Sequence, residues 1–514
     1  MFNQYLAPFR LSLLTLALTG CAVGPDYQKA ESLPVSQQEL PNWQLENQYF
    51  SPDASIAEQE WRSFYQDEHL QGLIEKALNK NIDLRIASER VYRAQTGLIQ
   101  RDADYSPQLA MNFDADREKT SAALTSDPKV DNEFKWTGYV TWELDLWGKL
   151  RRAKDAAIAD LQATQADFYA AKISLIAQVA DLYYQIQDTQ HQIWLTQNNI
   201  TAREKSKRIA ELRHKQGVIS GLDVSQSNVE LVQEKLKLPA LHNRLNSQMY
   251  QLSILLDQSP KKLNIPSRTE ISLKNKGIPV GLPSTLLKRR PDIIASERKL
   301  YAATSNIGVA KADYFPNISL IGEVGAKSLE FDTLLDNAEY WEIGADIRMP
   351  IFNWGATKAN VDNKRSEYRE AILNYRKSIF TAFRETAEAI ENVHKNQVEF
   401  VLKKELLAAT NEYLRIARLR YDNGVVSYLD VLDAQRSQAQ SQQDFSAAAQ
   451  ALQSSYVNLY KALGGGWNAE AFNLSIEAET HVEDKPVDMA IEDDSTHLIS
   501  QNQPEDLLKR QISE

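Results

Sequence analysis

The side chains that could carry out chemistry in this chain are few and scattered. Its seven histidines are His69, His191, His214, His242, His394, His481 and His497. No two of them have the HExxH spacing of a zinc site, and the sequence contains no glycine-rich phosphate loop and no GxSxG nucleophile motif. We therefore expect a protein that is not an enzyme and that needs no cofactor and no metal ion.

The one cysteine, Cys21, follows a short apolar run at the start of the chain. A single cysteine cannot form an internal disulfide and is too few for a CxxC zinc site. The apolar run suits a secretory signal but is too short to span a bilayer. Because the Leu-x-Gly-Cys pattern resembles a bacterial lipoprotein signal, we predict a signal peptide at residues 1–20 and a lipid on the Cys21 thiol. An ordinary buried thiol is the alternative.

Composition narrows the class of protein and its partners. The formal net charge of −11 leaves no basic stripe for nucleic acid. After Cys21 no apolar run reaches the length of a membrane-spanning helix. Transmembrane β-strands stay compatible with this composition, since only every second residue of such a strand faces lipid.

A duplication organises the chain. Residues 208–224, RIAELRHKQGVISGLDV, recur as residues 415–431, RIARLRYDNGVVSYLDV, with eleven of seventeen positions identical at an offset of 207 residues. A period of this length indicates two domain-sized halves rather than a solenoid. The predicted parts are an N-terminal extension at 21–60, repeat 1 at 61–273, repeat 2 at 282–476 and an acidic, disordered tail at 477–514.

Each half contains two stretches in which apolar and polar residues alternate, as Trp136, Val140 and Trp142 do with Thr137 and Thr141. The predicted strands lie at about 108–118, 133–146, 317–326 and 340–352. The alternation fits transmembrane strands with a polar inner face, and a soluble sheet with one face on a core is the alternative. Four strands are too few to close a barrel, so several copies must share one, and their number stays open.

Long helical stretches follow the strands in each half. Predicted helices lie at about 69–104, 149–214, 222–257, 358–421 and 429–463. The two longest run without proline for about 95 Å at 1.5 Å rise per residue, which no compact domain needs. Paired antiparallel and continuous with barrel strands, they would form a tube standing off the membrane. A lipid-anchored coiled-coil scaffold without a pore is the rival interpretation.

Several motifs together resemble the TolC-like outer-membrane factors of tripartite efflux and secretion systems, in their lipoprotein branch. They are LTGCAVGPDY from Leu18 on, RRPDI at Arg289, ADYFPNISL at Ala312 and NGVVSYLDVLDAQ at Asn423. The resemblance implies an α+β membrane protein, a homotrimer with a twelve-stranded outer-membrane β-barrel continuous with a twelve-helix periplasmic α-barrel tunnel. It also implies an internal twofold repeat.

The same resemblance implies a lipid-anchored duct in the cell outer membrane that extends into the periplasm. A periplasmic adaptor (membrane fusion protein) and an inner-membrane pump would deliver drugs or other toxic small molecules to it. A duct for type I protein secretion is the alternative within the family. The transported substrate and the identity of the pump are not written in the sequence.

The repeated stretch would lie at the end of the tube far from the barrel, where the family meets its adaptor. The expected contact residues are Gly217, Val218, Ser220, Gly424, Val425 and Ser427. Asp430 and Asp433, with Leu429 as an apolar member, match the residues that line the family's periplasmic gate. Asp430 has a second interpretation, because Ser427-x-x-Asp430 also resembles a capping box that needs no pore.

Overall fold

The computed structural model describes residues 23–27, 50–51, 55–119, 121, 123, 130–267, 278–279, 283–336, 338–467 and 472. The predicted signal peptide, Cys21 with its predicted lipid, most of the N-terminal extension and the predicted acidic tail lie outside the described residues. The chain divides into a large unit, Met1–Ala469, and a small unit, Glu470–Glu514. All helices and strands given below belong to the large unit.

Four long antiparallel strands form one sheet, in the order β2, β3, β5, β6. The strands are β1 (Phe50–Ser51), β2 (Gln108–Lys119), β3 (Val130–Glu143), β4 (Ile278–Pro279), β5 (Asn317–Ser328) and β6 (Glu339–Arg348). Among the described residues, the short β1 and β4 pair with each other and with no other strand. The pairing of β3 with β5, from Phe134↔Ser328 to Glu143↔Ser319, joins the two halves of the chain.

The sheet has one apolar and one polar face. The register aligns Met111, Gly138, Val324 and Trp341 in one row across all four strands. Exposed side chains on that face include Leu109, Met111, Phe113, Trp136, Val324, Trp341 and Ile343. On the opposite face the Lys135 Nζ lies 3.4 Å from a Glu323 carboxylate oxygen.

Two strands end earlier than the sequence predicts. β3 ends at Glu143 rather than 146, because the Asp145 carboxylate turns to accept backbone N–H groups from Leu150 (3.0 Å) and Arg151 (2.8 Å) at the start of the next helix. β6 ends at Arg348 rather than 352, just before Pro350, which has no N–H to donate to a ladder.

The helices account for most of the large unit. They are α1 (Trp61–Phe64), α2 (Glu68–Lys80), α3 (Ile82–Ala103), α4 (Lys149–Lys215), α5 (Gly221–Leu255), α6 (Pro283–Arg289), α7 (Pro291–Ala312), α8 (Ala356–Asp422) and α9 (Tyr428–Ala462). α4 and α8 each have 67 residues, and α5 and α9 each have 35. The two longest therefore extend about 100 Å. Among the described helices, none has a stretch long and apolar enough to cross a membrane.

The helix predicted at 69–104 is two helices, because Asn81 breaks it. The Asn81 Oδ1 accepts the Leu84 N–H (3.0 Å) and so caps α3, while its Nδ2 donates to the Leu255 carbonyl (3.1 Å) at the end of α5. Asn81 is 4% exposed. One buried amide thus both ends a helix and ties the hairpin of α4 and α5 to α3.

Replacing Asn81 with alanine is expected to lower the free energy of unfolding by about 1–2 kcal/mol, the usual loss for an N-cap. The Asn81→Asp variant keeps the cap acceptor and loses the donor to Leu255, so it should fall between wild type and Asn81→Ala. Thermal unfolding of the three purified proteins measures the order. Equal midpoints for wild type and Asn81→Ala would contradict it.

A shared core joins the short helices to the middle of the long ones. α7 packs between α4 and α8, and α9 packs along both α8 and α4. Fully buried members of the core include Leu70, Ile74, Tyr183, Ile186, Ile379 and Leu459. The Tyr183 hydroxyl donates to the Asp67 carboxylate (2.7 Å), which satisfies its polar end. Smaller clusters outside this core pack α8 against α9, one of them near their tips around Leu414, Tyr428 and Leu432.

Residues 23–27, the N-terminal strap, lie across the junction of the two halves. A Cβ on Gly24, whose φ is +126°, would lie 2.6 Å from the Gly308 Cα, so the two backbones touch. The other contacts are the Val23 N–H to the Trp147 carbonyl (3.0 Å), Asp26 to Arg152, and the Tyr27 hydroxyl to Glu297 (3.1 Å). The strap therefore contacts α4 and α7 where β3 gives way to α4.

Candidate gate at the helix tips

Two tight turns connect the long helices, the first tip at residues 216–220 and the second tip at residues 423–427. Gly217 (φ +75°) and Gly424 (φ +72°) take the left-handed conformation that ends α4 and α8. The residue after each glycine donates its N–H back to the helix, Val218 to Arg213 (3.0 Å) and Val425 to Arg420 (2.9 Å). Val218 is 66% and Val425 61% exposed, so each tip presents an apolar side chain to solvent.

Both following helices begin with a serine and an aspartate that form a capping box, which the sequence analysis suggested for Ser427 and Asp430. At the first tip the Asp223 carboxylate accepts the Ser220 N–H (3.0 Å). At the second tip the Asp430 carboxylate accepts both the N–H (2.9 Å) and the hydroxyl (2.8 Å) of Ser427. Asp430 thus caps α9 within one copy of the chain, and this cap requires no second copy.

Asp433 has no such role in the cap. It is exposed one turn further along α9, and one carboxylate oxygen accepts the Tyr413 hydroxyl of α8 (3.1 Å). This hydrogen bond raises the pKa of the Tyr413 phenol above its usual value. Leu429 is 51% exposed beside these two acids. Leu429, Asp430 and Asp433 therefore share the exposed start of α9.

Side-chain contacts that the sequence patterns do not predict hold the two tips together. The Arg213 guanidinium lies 4.7 Å from the centre of the Tyr421 ring and 3.8 Å from the Asp422 carboxylate. Tyr428, 8% exposed, receives a hydrogen bond from the Ser227 hydroxyl (3.2 Å). The sequence carries a signal for these contacts, because the two copies of the repeated motif differ there. The second copy has Tyr421 and Tyr428 where the first copy has His214 and Gly221.

An ion cluster lies further from the tips and has no counterpart among the sequence predictions; it consists of the buried Arg203, Glu230 and Glu234 and the half-exposed Arg436. Glu230 accepts from the Arg203 Nη1 (2.6 Å) and from the Arg436 Nε (2.7 Å), which ties α4 and α5 to α9. The side chains of Arg203 and Glu230 are both 7% exposed. Charges this deeply buried stabilise a structure only when each keeps its partner.

Within the part of the chain that the structure describes, no group of three or more histidine, cysteine, aspartate or glutamate side chains could hold a metal ion. The arrangement at the tips offers exposed carboxylates and apolar side chains instead, which suits contact with another protein surface and an electrostatic barrier.

Known proteins are similar to this chain over nearly its whole length. The family model described as outer membrane efflux protein matches residues 73–257 and 282–465. The probable efflux pump outer membrane protein TtgC of Pseudomonas putida is 34% identical over 468 residues, which cover 89% of this chain and 96% of that protein. The cation efflux system protein CusC of Escherichia coli is 31% identical over 455 residues, 88% and 97% of the two chains.

Solved structures agree with these relatives. The outer-membrane channel OprN superposes with a TM-score of 0.79 at 28% identity and covers 87% of this chain and 100% of its own. The Campylobacter jejuni CmeC outer membrane channel gives a TM-score of 0.79 at 26% identity and covers 90% and 98%.

Proposed function

The chain belongs to the outer membrane efflux protein family and is the outer-membrane exit duct of an efflux system, and we propose that it forms this duct as a homotrimer gated at its helix tips. It resides in the outer membrane and extends into the periplasm. The observation that carries the proposed assembly is the four-stranded sheet, whose outer strands have one neighbour each.

β2 and β6 stand at the two ends of the strand order, and within the described residues each pairs along only one edge. About eight strands are the fewest that close a barrel, so one copy cannot form one. Three copies would contribute twelve strands and twelve long helices, which makes a lumen wide enough to conduct. The exposed apolar face of the sheet would meet lipid and the polar face would line the lumen.

The partners follow from the same role. TtgC is named as a probable efflux pump outer membrane protein, that is, as one component of a pump. An inner-membrane pump and a periplasmic adaptor would supply energy and substrate. We place the adaptor contact at the exposed tips, at Gly217, Val218, Ser220, Gly424, Val425 and Ser427.

The N-terminal strap supports the proposed lipid anchor. Cys21 precedes Val23 by two residues. The Val23 N–H donates a hydrogen bond to the Trp147 carbonyl at the end of the sheet nearest the helices. Acyl chains on Cys21 would enter the leaflet beside that end of the barrel. Burial of each CH₂ would contribute about 0.8 kcal/mol to the anchoring.

The gate depends on where three copies of α9 meet. Six carboxylates from Asp430 and Asp433 around one axis would repel each other and attract cations, and Leu429 would narrow the opening. The hydrogen bond from Tyr413 holds Asp433 in place in each copy. We propose Asp433 as the main gating acid, with Asp430 both capping α9 and adding to the ring.

Conductance of the purified protein in a planar bilayer tests this gate. Wild type should show a small, cation-preferring conductance, and Asp430→Ala/Asp433→Ala should show a larger one with weaker cation preference. Asp223→Ala is the matched control, because Asp223 makes the same cap at the first tip. A conductance unchanged in the double variant, or raised equally by Asp223→Ala, would remove the gate from these residues.

A further inference from the structure

The apolar face of the sheet carries a groove over the paired strands β3 and β5. Gly138 of β3 pairs with Val324 of β5, and Val140 of β3 pairs with Gly322 of β5. Each strand therefore has one position without a side chain, and these two positions are diagonal neighbours. The groove has a volume of about 700 Å³. The apolar residues that line it together with the two glycines are Leu109, Met111, Val140, Val324, Trp341 and Ile343.

The backbone does not explain the two glycines of the groove. Neither Gly138 nor Gly322 has a positive φ, the conformation that favours glycine. The strands pair residue for residue on both sides of them, so neither glycine marks a bulge. Gly325 differs from them, because a Cβ there would strike the backbone of β3. Glycine inside a strand weakens it, and it often marks a place where a ligand or another backbone comes close.

One copy of the chain leaves space above both glycines. A Cβ on Gly138 would have its nearest neighbour, the Val324 carbonyl oxygen, at 3.8 Å, which is ordinary contact. A Cβ on Gly322 would lie 2.9 Å from the Val140 Cγ1, a side-chain methyl rather than backbone. The sheet itself therefore tolerates a larger residue at Gly138. The groove stays open on the face that the proposed duct turns toward lipid.

The N-terminal strap is bonded at the foot of the same two strands. The Val23 N–H donates to the Trp147 carbonyl, just after β3 ends. Between the strap and the groove, the Leu144 N–H donates to the Ile318 carbonyl (2.9 Å), which continues the pairing of β3 and β5 toward the strap. The strap and the groove are therefore joined by one pair of strands, with the groove farther from the helices.

The distance between the strap and the groove suits an acyl chain. Gly138 stands five residues before Glu143, the last residue of β3. Five residues span about 17 Å at the usual rise of a strand. A barrel strand tilted by about 40° climbs about 13 Å over that length. Since one leaflet of the hydrocarbon core is about 15 Å thick, a chain attached at the foot of the sheet reaches the groove within its own leaflet.

We infer that one acyl chain of the lipid on Cys21 lies in this groove. The inference rests on the proposed lipid anchor and adds a binding site for its hydrocarbon. Cys21 is two residues from Val23, so the strap holds the lipidated end of the chain beside the foot of β3 and β5. A linear hydrocarbon chain is the class of ligand that fits an open hollow walled by aliphatic and aromatic side chains.

The covalent attachment decides which acyl chain fills the groove. Lipid tails are as apolar as the sheet face, so a chain gains no hydrophobic free energy by moving from the bilayer into the groove. Van der Waals packing in the groove favours every acyl chain alike. A phospholipid that entered would give up its lateral freedom, whereas the chain on Cys21 has already lost this freedom through its attachment. The anchor's own chain is therefore the favoured occupant.

Photo-cross-linking in native outer membranes tests this placement. Cells are fed a fatty acid that carries a diazirine near its methyl end, the outer membranes are irradiated, and the purified protein is digested with trypsin. Mass spectrometry should find the N-terminal peptide, residues 21–29, joined through its acyl chain to residues 136–149 of β3 and 312–327 of β5. A phospholipid in the groove would instead leave lipid on the strand peptides without the N-terminal peptide, which separates the two sources.

Gly138→Leu should remove most of these links, because the new side chain fills the groove. Ala115→Leu is the matched control and should keep the wild-type yield. Ala115 lies on the same apolar face, two residues beyond Phe113 and opposite Phe134, outside the groove. If Gly138→Leu fails to accumulate, the wild-type protein still decides, since its links should concentrate on β3 and β5.

Three results would overturn the placement. Links spread evenly over all four strands, or a yield that Gly138→Leu leaves unchanged or that both variants lower equally, would mean that the chain moves freely in the leaflet. A lipidated N-terminal peptide joined to no strand peptide would have the same meaning. An N-terminal peptide without any lipid would remove the proposed anchor together with this site, and it would leave the proposed duct standing.

Discussion

Replacing Gly325 with alanine is expected to open the sheet between β3 and β5 and to sharply reduce the amount of assembled protein in the outer membrane. A Cβ at this position would lie 2.9 Å from the Thr137 Cα and closer still to the Trp136 carbonyl oxygen. Both obstacles are backbone, which cannot turn aside as a side chain can. Overpacking of this kind costs about 1–3 kcal/mol even where side chains can yield.

The side chains above Gly325 add to the effect. The Thr137 hydroxyl and the Tyr340 hydroxyl are 2.5 Å apart, and the register places both opposite Gly325. Their hydrogen bond passes over Gly325, whose side chain is a single hydrogen atom and leaves room for it. An alanine there would separate β3 from β5 and break this bond as well.

Gly344→Ala is the control for Gly325→Ala, because a Cβ on Gly344 in β6 meets nothing within 4 Å in one copy. Heat-resistant oligomer recovered from outer membranes, compared by immunoblot at equal expression, measures the difference. Wild-type recovery of Gly325→Ala would show that β3 and β5 do not approach as closely as the structure has them.

The second large effect is expected from Glu230→Ala, which should destabilise the protein by about 3–5 kcal/mol. The variant leaves the buried Arg203 guanidinium with Glu234, at 3.8 Å, as its remaining ion-pair partner among the described residues, and it releases Arg436 of α9. A buried charge that loses its close partner is far more costly than the pair itself is stabilising. The midpoint of thermal unfolding should therefore fall by many degrees.

Glu204→Ala is the matched comparison for Glu230→Ala. The Glu204–Lys235 pair also joins α4 to α5 at 2.7 Å, but its side chains are 50% and 49% exposed. Exposed pairs contribute about 0–1 kcal/mol, so this variant should unfold close to wild type. Similar losses in the two variants would mean that burial does not decide the strength of these ion pairs. Glu230→Gln, which keeps hydrogen bonding without the charge, should lie between them.

The sequence could predict the long helices because the repeated motif marks the same turn twice. Gly217 and Gly424 end their helices at the same point of each copy, and the predicted ends differ from the structure by at most two residues. The strand ends were less predictable, since Asp145 reads as one more polar residue of an alternating strand. Only the position of the following helix shows that it is a cap.

The ion cluster could not be predicted from local pattern. Glu230 and Glu234, spaced one helical turn apart with lysines beside them, read as a solvated helix face. Their burial depends on α9, where Arg436 lies 206 residues further along the chain. The cap that Asp430 makes is local and could be predicted, whereas its proposed place in the gate depends on where several copies meet.

The N-terminal strap can bind its site only after α4 and α7 have packed together, although it is the first part of the described chain. Tyr27 and its partner Glu297 are 270 residues apart, and Gly308 lies further still. Export delivers the start of the chain first, so the strap has no surface to bind until α7 has reached its place against α4. Contacts of such long range form late, because the loop between them must close first. Docking of the strap is therefore a final step of maturation, one that only a completed protomer can make.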